Sequence, residues 1–236
     1  MNIKVDMHTH ILPQMDDGAD ADDISVMLLD NLESQGVTHL ALTSHYYSHR
    51  DDLNHFLARR NAAYKQLMLS YDGNIKLYLG SEVYLTEELF NNENLFPLCY
   101  NKSRYMLTEL PYDSEFNENT IGLLNRLIED YSVMPVLAHV ERYSFLMKGV
   151  DNINALVRMG CIVQVNVNSF CDFFVRRKLL ALAQNKLIHV IGTDTHSFVK
   201  GSDYITGYNI AVKKAGAEFV NKCFENSLKI LENKQI

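Results

Sequence analysis

Residues 133–138 read VMPVLA, and residues 187–192 read LIHVIG. Each run is almost wholly apolar and too short for an ordinary helix, which is the pattern of a strand buried on both faces. Strands of this kind occur in parallel sheets whose two faces are covered by helices. The two runs therefore favour an α/β fold built on a parallel sheet.

The alternation of strand and helix extends outward from these runs along the chain. The predicted strands are 3–7, 39–43, 76–83, 104–108, 133–138, 161–165 and 187–191. The predicted helices are 22–35, 52–71, 119–131, 152–159 and 173–185, with a short helical stretch at 86–90 and helical sequence over 210–232. Seven strands alternating with helices fit a closed barrel or an open doubly wound sheet. The chain lacks the G-x-G-x-x-G and G-x-x-x-x-G-K-[ST] motifs, which disfavours the common nucleotide-binding forms of the open sheet.

Composition limits the class of protein. The chain has 236 residues, 47% of them hydrophobic, and a net charge of -7, so nucleic acid is not an expected partner. Its four cysteines form no C-x-x-C pair, which disfavours a disulfide framework and favours a cytoplasmic location. We expect no membrane span, because no segment approaches about 18 unbroken apolar residues. No linker or repeat divides the sequence, so we expect residues 1–236 to form a single domain.

Imidazoles and carboxylates follow the ends of most predicted strands. These residues are His8, His10, His45, Glu82, Glu109, His139, Asp194 and His196. The carboxyl ends of barrel strands meet at one rim, where active sites are built. Each residue alone could be a hydrogen-bonded structural group, but so many polar groups after apolar strands are costly unless they serve a site. The placement predicts a metal site, with His39, His49, His55 and His189 left outside it.

Two stretches of sequence resemble other functional motifs or a simple turn when they are considered alone. Asp16-Asp17-Gly18 is more often a turn than a pair of ligands, and both possibilities remain open at this point. The same stretch does not follow the ligand pattern of a calcium loop. Cys171 and Arg177 have the C-x5-R spacing of thiol-based phosphatases, but the two intervening phenylalanines do not suit a phosphate-wrapping loop.

The ordered set HTH, DDG, TSHYY, GSEVY, TELPY, LAHVERY, VNVNSF and GTDTHS resembles the polymerase-and-histidinol-phosphatase (PHP) superfamily. Within that superfamily it is similar to the manganese-dependent bacterial tyrosine phosphatases of the CpsB/YwqE type, from the capsule and exopolysaccharide system. The resemblance runs from residue 1 to about residue 200. It implies a distorted seven-stranded (β/α)7 TIM-like barrel, the PHP fold, with three divalent metals at its carboxyl rim. Mn²⁺ is the expected metal, and Fe or Zn would suit the same imidazole and carboxylate ligands.

The resemblance also implies roles for particular residues. By motif, the first metal takes His8, His10, Glu82 and Asp194; the second shares Glu82 and takes Glu109 and His139; the third takes Asp17, His45 and His196. Asp17 is chosen over Asp16 because the family uses the second aspartate of DDG. Arg142 matches the arginine that binds the substrate phosphate. Lys200 lies where relatives carry a second arginine, and it supplies charge without the bidentate fork.

The activity that the resemblance implies is the hydrolysis of phosphotyrosine in proteins by a metal-activated water. The expected partner is the tyrosine-rich tail of a cognate bacterial tyrosine kinase. The alternatives are a small-molecule phosphomonoesterase of the histidinol-phosphate phosphatase type, a phosphodiesterase on the same scaffold, or a metal-binding module without catalysis. The sequence has no evident long insertions at the rim, which favours an open site and a protein substrate.

Overall fold

The computed structural model describes residues 3–112 and 118–236. Within these ranges the strands are β1 (Val5–Asp6), β2 (His39–Leu42), β3 (His45–Tyr46), β4 (Lys76–Leu79), β5 (Glu82–Tyr84), β6 (Tyr105–Glu109), β7 (Met134–Leu137), β8 (Ile162–Asn166) and β9 (Val190–Gly192). The helices are α1 (Asp22–Ser34), α2 (Leu53–Ser70), α3 (Glu118–Glu129), α4 (Val150–Arg158), α5 (Phe173–Gln184), α6 (Tyr204–Ala215) and α7 (Ala217–Leu231).

All pairs of neighbouring strands are parallel. One sheet has the order β1-β2-β4, and the other has the order β3-β5-β6-β7-β8-β9. Backbone hydrogen bonds join the two sheets at both sides, since Glu82 N–H donates to the Thr43 carbonyl and Met7 N–H donates to the Ile191 carbonyl. The prediction of an α/β fold with parallel strands is confirmed.

The number of strands differs from the seven expected, because the described residues contain nine. The predicted strand 76–83 is divided into β4 and β5, and β3 lies beyond the predicted end of strand 39–43. At the first break the guanidinium of Arg60 donates to the Gly80 carbonyl at 3.1 Å and to Ser81 Oγ at 2.9 Å. The buried Arg60 side chain of α2 thus forms a hydrogen bond with a backbone carbonyl between β4 and β5, where the pairing of the strands is interrupted.

The helical sequence over 210–232 is also divided, into α6 and α7. Gly216 separates them with φ of 100°, a left-handed conformation that glycine adopts without a steric cost. Helix α6 begins earlier than predicted because the Asp203 carboxylate caps it, accepting a hydrogen bond from Thr206 N–H at 3.2 Å. The other predicted helices agree within one turn, and the stretch at 86–90 is the 3-10 turn Glu87–Asn91.

The core lies between the strands and the surrounding helices. Its largest fully buried side chains include Tyr46, Tyr100, Tyr143, Phe56 and Phe170. Two of the buried hydroxyls donate to backbone carbonyls, that of Tyr100 to Met7 at 2.9 Å and that of Tyr143 to Leu110 at 3.1 Å. Among the described helices, none is both long enough and apolar enough to cross a membrane.

Candidate metal centre

The nine residues predicted to bind metals lie in one connected cluster at the carboxyl side of the strands. His8 and His10 follow β1, His45 and Glu82 begin β3 and β5, Glu109 ends β6, His139 follows β7, and Asp194 and His196 follow β9, while Asp17 lies in the loop before α1. Parallel strands that end at one level bring these side chains together although they are far apart in sequence. The prediction that the strand ends converge is confirmed by the geometry.

His8 and His10 point at the same two carboxylates. Their Nε2 atoms lie 3.1 Å apart. The Oε2 atom of Glu82 is 3.1 Å from Nε2 of His8 and 3.2 Å from Nε2 of His10. The Oδ1 atom of Asp194 is 3.5 Å and 3.3 Å from the same two nitrogens. These four side chains are those expected to hold the first metal.

The tautomers of His8 and His10 follow from their other ring nitrogens. His8 Nδ1 lies 3.3 Å from the amide oxygen of Gln164, and His10 Nδ1 lies 2.8 Å from a carboxylate oxygen of Asp16. Both oxygens only accept hydrogen bonds, so each Nδ1 carries a proton and each Nε2 faces the two carboxylates. Although burial opposes it, the neighbouring carboxylates raise the pKa of both histidines and favour a second proton on Nε2. A divalent cation bound there would replace those protons.

Glu82 Oε2 provides a second test of whether a metal fits. This buried oxygen lies 3.1, 3.2 and 3.1 Å from nitrogens of His8, His10 and His45. It nevertheless has no hydrogen-bond partner with acceptable geometry among the described residues. A buried carboxylate oxygen without a donor is costly, whereas coordination to a cation would satisfy it. The donors present therefore fit a divalent metal.

The second predicted group joins Glu82 to the far side of the cluster. His139 Nε2 lies 2.9 Å from Glu82 Oε1 and 3.7 Å from Glu109 Oε1. His45 Nδ1 is also 4.0 Å from Glu109, so His45 faces this group as well as the third one. Burial and the neighbouring charge of Glu82 raise the pKa of Glu109 to about 7. Two buried carboxylates so close together repel each other unless a cation lies between them.

The third predicted group consists of Asp17, His45 and His196. Asp17 Oδ1 is 3.2 Å from His196 Nε2 and 3.8 Å from His45 Nε2. His196 Nδ1 donates to the Asp194 backbone carbonyl at 2.9 Å, which leaves its Nε2 as a lone pair with no hydrogen-bond partner among the described residues. The Asp17 side chain is 65% exposed, so this group opens toward solvent.

Asp16, which the sequence analysis set aside in favour of Asp17, has a different role in the geometry. Its carboxylate accepts hydrogen bonds from His10 Nδ1 and from the backbone N–H of His45, each at 2.8 Å. It thereby fixes the ring of one predicted ligand and the backbone of another. Although burial opposes it, the charge of His10 holds the pKa of Asp16 well below its usual range.

The electrostatic balance of the cluster stabilises ionised carboxylates. Although burial raises it, the pKa of Glu82 is held well below its usual range by His8, His10 and His139. Burial also raises the pKa of Asp194, but His8, His10 and Arg142 together hold it far below normal. Glu82 and Asp194 are therefore charged ligands at neutral pH, whereas the pKa of Glu109 is raised.

Two cations flank the cluster at the positions expected for substrate binding. The Arg142 guanidinium forms an ion pair with Asp194, and 38% of its side chain is exposed. Lys200 Nζ lies 3.7 Å from Asp17 Oδ2 on the opposite flank. Both side chains thus reach the open side of the predicted metal site.

Two predicted ligand residues have an unusual backbone conformation. His139 has φ of 34° and Asp194 has φ of 59°, in the left-handed region that side chains other than glycine rarely adopt. Such strain persists where surrounding contacts impose it, and it is concentrated at functional sites. At His139 the backbone N–H donates to the Gln164 amide oxygen at 2.6 Å, which holds this conformation.

The sequence analysis missed Gln164 as part of the site and gave no role to Asn166, the polar residue that follows the predicted strand 161–165. Gln164 accepts from His8 and His139 and donates through its amide to Asn166 Oδ1 at 2.9 Å. Asn166 in turn donates to Asp194 Oδ2 at 3.3 Å. Both residues are buried and lie two positions apart in β8, so their side chains share one face of the strand. Two polar residues on one face of an otherwise apolar strand are the sequence signal that could have indicated their role.

The residues excluded from the site lie outside the described cluster. His49 and His55 are exposed, and His189 accepts a hydrogen bond from Val163 N–H at 3.0 Å. His39 lies beside Thr38, at 2.9 Å from its hydroxyl. Burial raises the pKa of the Cys171 thiol, and Arg177 lies inside helix α5, so the C-x5-R spacing builds no phosphate loop.

The sequence of the chain is similar to those of known bacterial proteins. Its sequence is 28% identical to the tyrosine-protein phosphatase CpsB of Streptococcus pneumoniae, over 98% of this chain and 100% of that protein. It is 27% identical to the tyrosine-protein phosphatase YwqE of Bacillus subtilis, over 98% of this chain and 93% of that protein.

Solved structures show the same fold. A structure from a study of YwqE of Bacillus subtilis and CpsB of Streptococcus pneumoniae, described as metal-dependent tyrosine phosphatases, matches with a TM-score of 0.83 and 23% identity, covering 99% of this chain and 96% of that one. The histidinol phosphate phosphatase of Lactococcus lactis matches with a TM-score of 0.57 and 14% identity, covering 91% and 95%.

The sequence profile of the family described as "Capsular polysaccharide synthesis, CpsB/CapC" matches residues 4–232. This range contains every predicted ligand, from His8 to His196, together with the helices that close the fold. The chain therefore belongs to the CpsB/CapC family.

Proposed function

We propose that the chain is a metal-dependent tyrosine-protein phosphatase of the capsule or exopolysaccharide system. The observation that carries the proposal is the Oε2 atom of Glu82, which three imidazole nitrogens approach without forming hydrogen bonds. The partly exposed guanidinium of Arg142 is paired with Asp194 in the same cluster. Convergent donors and a neighbouring arginine are the requirements of phosphoryl transfer. The names of the curated relatives, tyrosine-protein phosphatases, support the substrate class.

Nine residues hold three divalent cations in this proposal, with Mn²⁺ as the expected metal. The three sets are His8, His10, Glu82 and Asp194; Glu82, Glu109 and His139; and Asp17, His45 and His196. When bound, the cations would neutralise the phosphate charge and activate a water molecule as the nucleophile. The proximity of His45 to both Glu109 and Asp17 supports its position between two of these sets.

Arg142 and Lys200 bind the phosphate group in this mechanism. Arg142 offers a planar fork that matches two phosphate oxygens, and its ion pair with Asp194 aims it at the metal site. Lys200 adds a point charge beside Asp17. The leaving group is a phenolate with a pKa of about 10, so it departs with less help from a general acid than an alkoxide needs.

Tyr112 and Tyr47 are the aromatic residues near the ligands that could contact the phenyl ring of the substrate. The Tyr112 ring lies 6.2 Å from that of His139 in a stacked arrangement, and 52% of the residue is exposed. Tyr47 stacks on His45 at 5.2 Å. Tyr46 and Phe170, which also adjoin the motifs, are buried in the core and do not face the site.

The remaining parts of the proposal concern the whole chain. We place the divided strands in one distorted seven-stranded PHP barrel that closes between β1 and β9, which the hydrogen bond from Met7 to Ile191 supports. We treat residues 1–236 as a single phosphatase domain, which the continuous hydrophobic core supports. The partner is a phosphotyrosine protein, the tail of a cognate tyrosine kinase, and the four free cysteines favour the cytoplasm.

One assay tests the metal dependence and the substrate class together. The purified protein is treated with a chelator, reloaded separately with Mn²⁺, Fe²⁺ and Zn²⁺, and offered a phosphotyrosine peptide, a phosphoserine peptide and histidinol phosphate. We expect activity on phosphotyrosine that is lost on chelation and restored best by Mn²⁺. Preference for histidinol phosphate would replace the proposal with the small-molecule phosphomonoesterase.

Three variants complete the assay. His8→Ala and His139→Ala each remove a predicted ligand, and we expect both to reduce activity by at least about 100-fold. His39→Ala, which changes a histidine at the start of β2 outside the cluster, is the matched control and should keep its activity. Full activity in His8→Ala and His139→Ala, or in the chelated protein, would refute the mechanism.

A further inference from the structure

A recess of about 490 Å³ adjoins the predicted third metal group and is not used by the mechanism above. We call it the Arg50 recess, and its own walls are Met15, Tyr47, Arg50, Asp51, Phe56 and Arg59. It shares Asp17 and His45 with the metal cluster, together with Asp16, which positions two of the predicted ligands, so the two spaces are continuous. Whatever binds at the cluster can therefore extend into this recess.

The turn after β3 places Arg50 at the recess. The backbone N–H groups of Arg50 and Asp51 both donate to the Tyr47 carbonyl, at 2.9 Å and 3.1 Å, which folds the chain back on Tyr47. The Arg50 guanidinium then lies over the Tyr47 ring, 4.9 Å from its centroid. Tyr47 itself stacks on His45 at 5.2 Å, so a single aromatic ring separates Arg50 from a predicted ligand.

Arg50 is the cation of the recess that is free to bind an anion. Within the described part of the chain, no carboxylate lies within 4.0 Å of it, and its Nε donates to His49 at 3.1 Å. Arg59, by contrast, forms an ion pair with Asp51. Asp51 also accepts a hydrogen bond from His55 at 2.9 Å, so its charge is balanced.

The remaining walls define the anion. Met15 and Phe56 are buried and give the recess an apolar base, which suits the methylene groups of a side chain. Three carboxylates also line the recess, those of Asp16, Asp17 and Asp51. Asp16 is paired with His10 and Asp51 with Arg59, and the remaining negative charge would repel a second phosphate dianion more strongly than a single carboxylate. An aspartate or glutamate fits this combination of a guanidinium, an aromatic ring and an apolar base.

We infer that the Arg50 recess binds the carboxylate of an aspartate or glutamate within two residues of the phosphotyrosine, and that Arg50 is a specificity-determining residue. This inference rests on the proposed tyrosine-phosphatase function. Extended peptide advances about 3.3 Å per residue, so a neighbouring side chain reaches a space that begins at His45 and Asp17.

The test uses the Mn²⁺-loaded protein and a set of phosphotyrosine peptides. Each peptide carries one glutamate at position -2, -1, +1 or +2 relative to phosphotyrosine, and each has a counterpart with glutamine there. We expect kcat/KM to be about tenfold higher for glutamate than for glutamine at one or more positions, the size of one charge-assisted contact.

Arg50 variants connect that preference to the recess. In Arg50→Gln the ratio of kcat/KM for the two peptides should fall to within about twofold of unity, and Arg50→Lys should keep part of it because the charge remains. The matched control is Arg126→Gln, which removes another exposed arginine that lies over an aromatic ring, 4.3 Å from the centroid of Phe90. This control should retain the wild-type ratio.

The outcomes separate the two proposals. If the wild type hydrolyses the peptides but shows no preference, or if Arg50→Gln keeps the preference, the inference about the recess is wrong and the phosphatase function stands. If the wild type hydrolyses histidinol phosphate and none of the peptides, the proposed function fails and the inference fails with it.

Discussion

Asp16 acts at the scale of a single residue by fixing two predicted ligands at once. Its carboxylate accepts from the His10 ring and from the His45 backbone, and it lies directly before the exposed Asp17. Gln164 does the same for His8 and His139 on the other side of the cluster. The positions of the imidazoles thus depend on acceptors that touch no cation in our assignment.

Replacing Asp16 by asparagine should weaken metal binding without removing a ligand. His10 Nδ1 and the His45 backbone N–H both donate to Oδ2 of Asp16, and the Gly18 backbone N–H donates to Oδ1. Asparagine has one acceptor oxygen and no charge, so either the pair His10 and His45 or Gly18 would face an amide NH₂ group in place of an acceptor. We expect the affinity for Mn²⁺ to fall by about 10- to 100-fold, measured by calorimetric titration of the chelated protein. Asp20→Asn, an exposed change in the same loop, should leave the affinity unaltered. Equal affinities in the two variants would contradict the positioning role.

Lys200 supplies a second prediction at this scale, on substrate affinity. Lys200→Arg should lower KM for a phosphotyrosine peptide by about two- to fivefold, because a guanidinium binds two phosphate oxygens. Lys200→Gln should raise KM, because it removes the positive charge that contacts the phosphate. The control Lys222→Arg makes the same exchange on an exposed residue of α7. If Lys200→Gln leaves KM unchanged, Lys200 does not contact the phosphate.

At the scale of the secondary-structure elements, the end of β9 lies against the chain that follows β1, where Gly192 meets His8. A Cβ atom at this position would lie 2.6 Å from His8 Cβ and 2.8 Å from His8 N, distances at which something must move. A side chain here would therefore displace the strand end that carries the first predicted ligand. Position 192 requires glycine because a side chain would collide with His8, and not because the backbone there has a positive φ.

Gly192→Ala should destabilise the protein by about 1–3 kcal/mol through overpacking against His8. The free energy of unfolding in urea measures the effect. Gly122→Ala is the matched control in α3, where nothing lies within 4 Å of the added Cβ, and it should stabilise the helix by about 0.5–1 kcal/mol. Equal stability of Gly192→Ala and the wild type would show that the strands can separate without cost.

The sequence predicted these elements where the signal was local. Apolar runs and helical periodicity placed most strands and helices, and polar residues after the strands identified the ligand cluster. The division at Gly80 and Ser81 was not predictable in this way, because it depends on Arg60, which comes from α2. Two local signals were not used in the prediction, which rested on helical periodicity. Gly216 marks the end of α6, and Asp203 caps its start.

Across the whole molecule, negative charge is concentrated where a phosphate dianion is expected to bind. The chain carries a net charge of -7, and four of its carboxylates, those of Asp17, Glu82, Glu109 and Asp194, are gathered in the cluster. Without cations this centre would repel the substrate. Binding of the anion therefore depends on prior binding of metals.

Metal loading should accordingly stabilise the fold as well as enable catalysis. A ligand present at 100 times its Kd adds about 2.7 kcal/mol to the free energy of unfolding. We expect urea unfolding in Mn²⁺ and in chelator to differ by at least this amount. Glu82→Gln, which alters the residue shared by two groups, should reduce the difference, whereas the exposed Glu93→Gln should preserve it. No difference between Mn²⁺ and chelator would contradict the predicted site.

The order of the ligands along the chain has a consequence for biosynthesis. A ribosome releases His8 and His10 first, and Asp194 and His196 emerge only after most of the polypeptide has followed. Before Glu82 has appeared, a nascent chain offers an incoming ion the imidazoles of His8, His10 and His45 and the carboxylate of Asp17, but no shared carboxylate. The predicted centre is complete only when β9 docks beside β1, so we expect metal selection to take place on the folded chain and not during its synthesis.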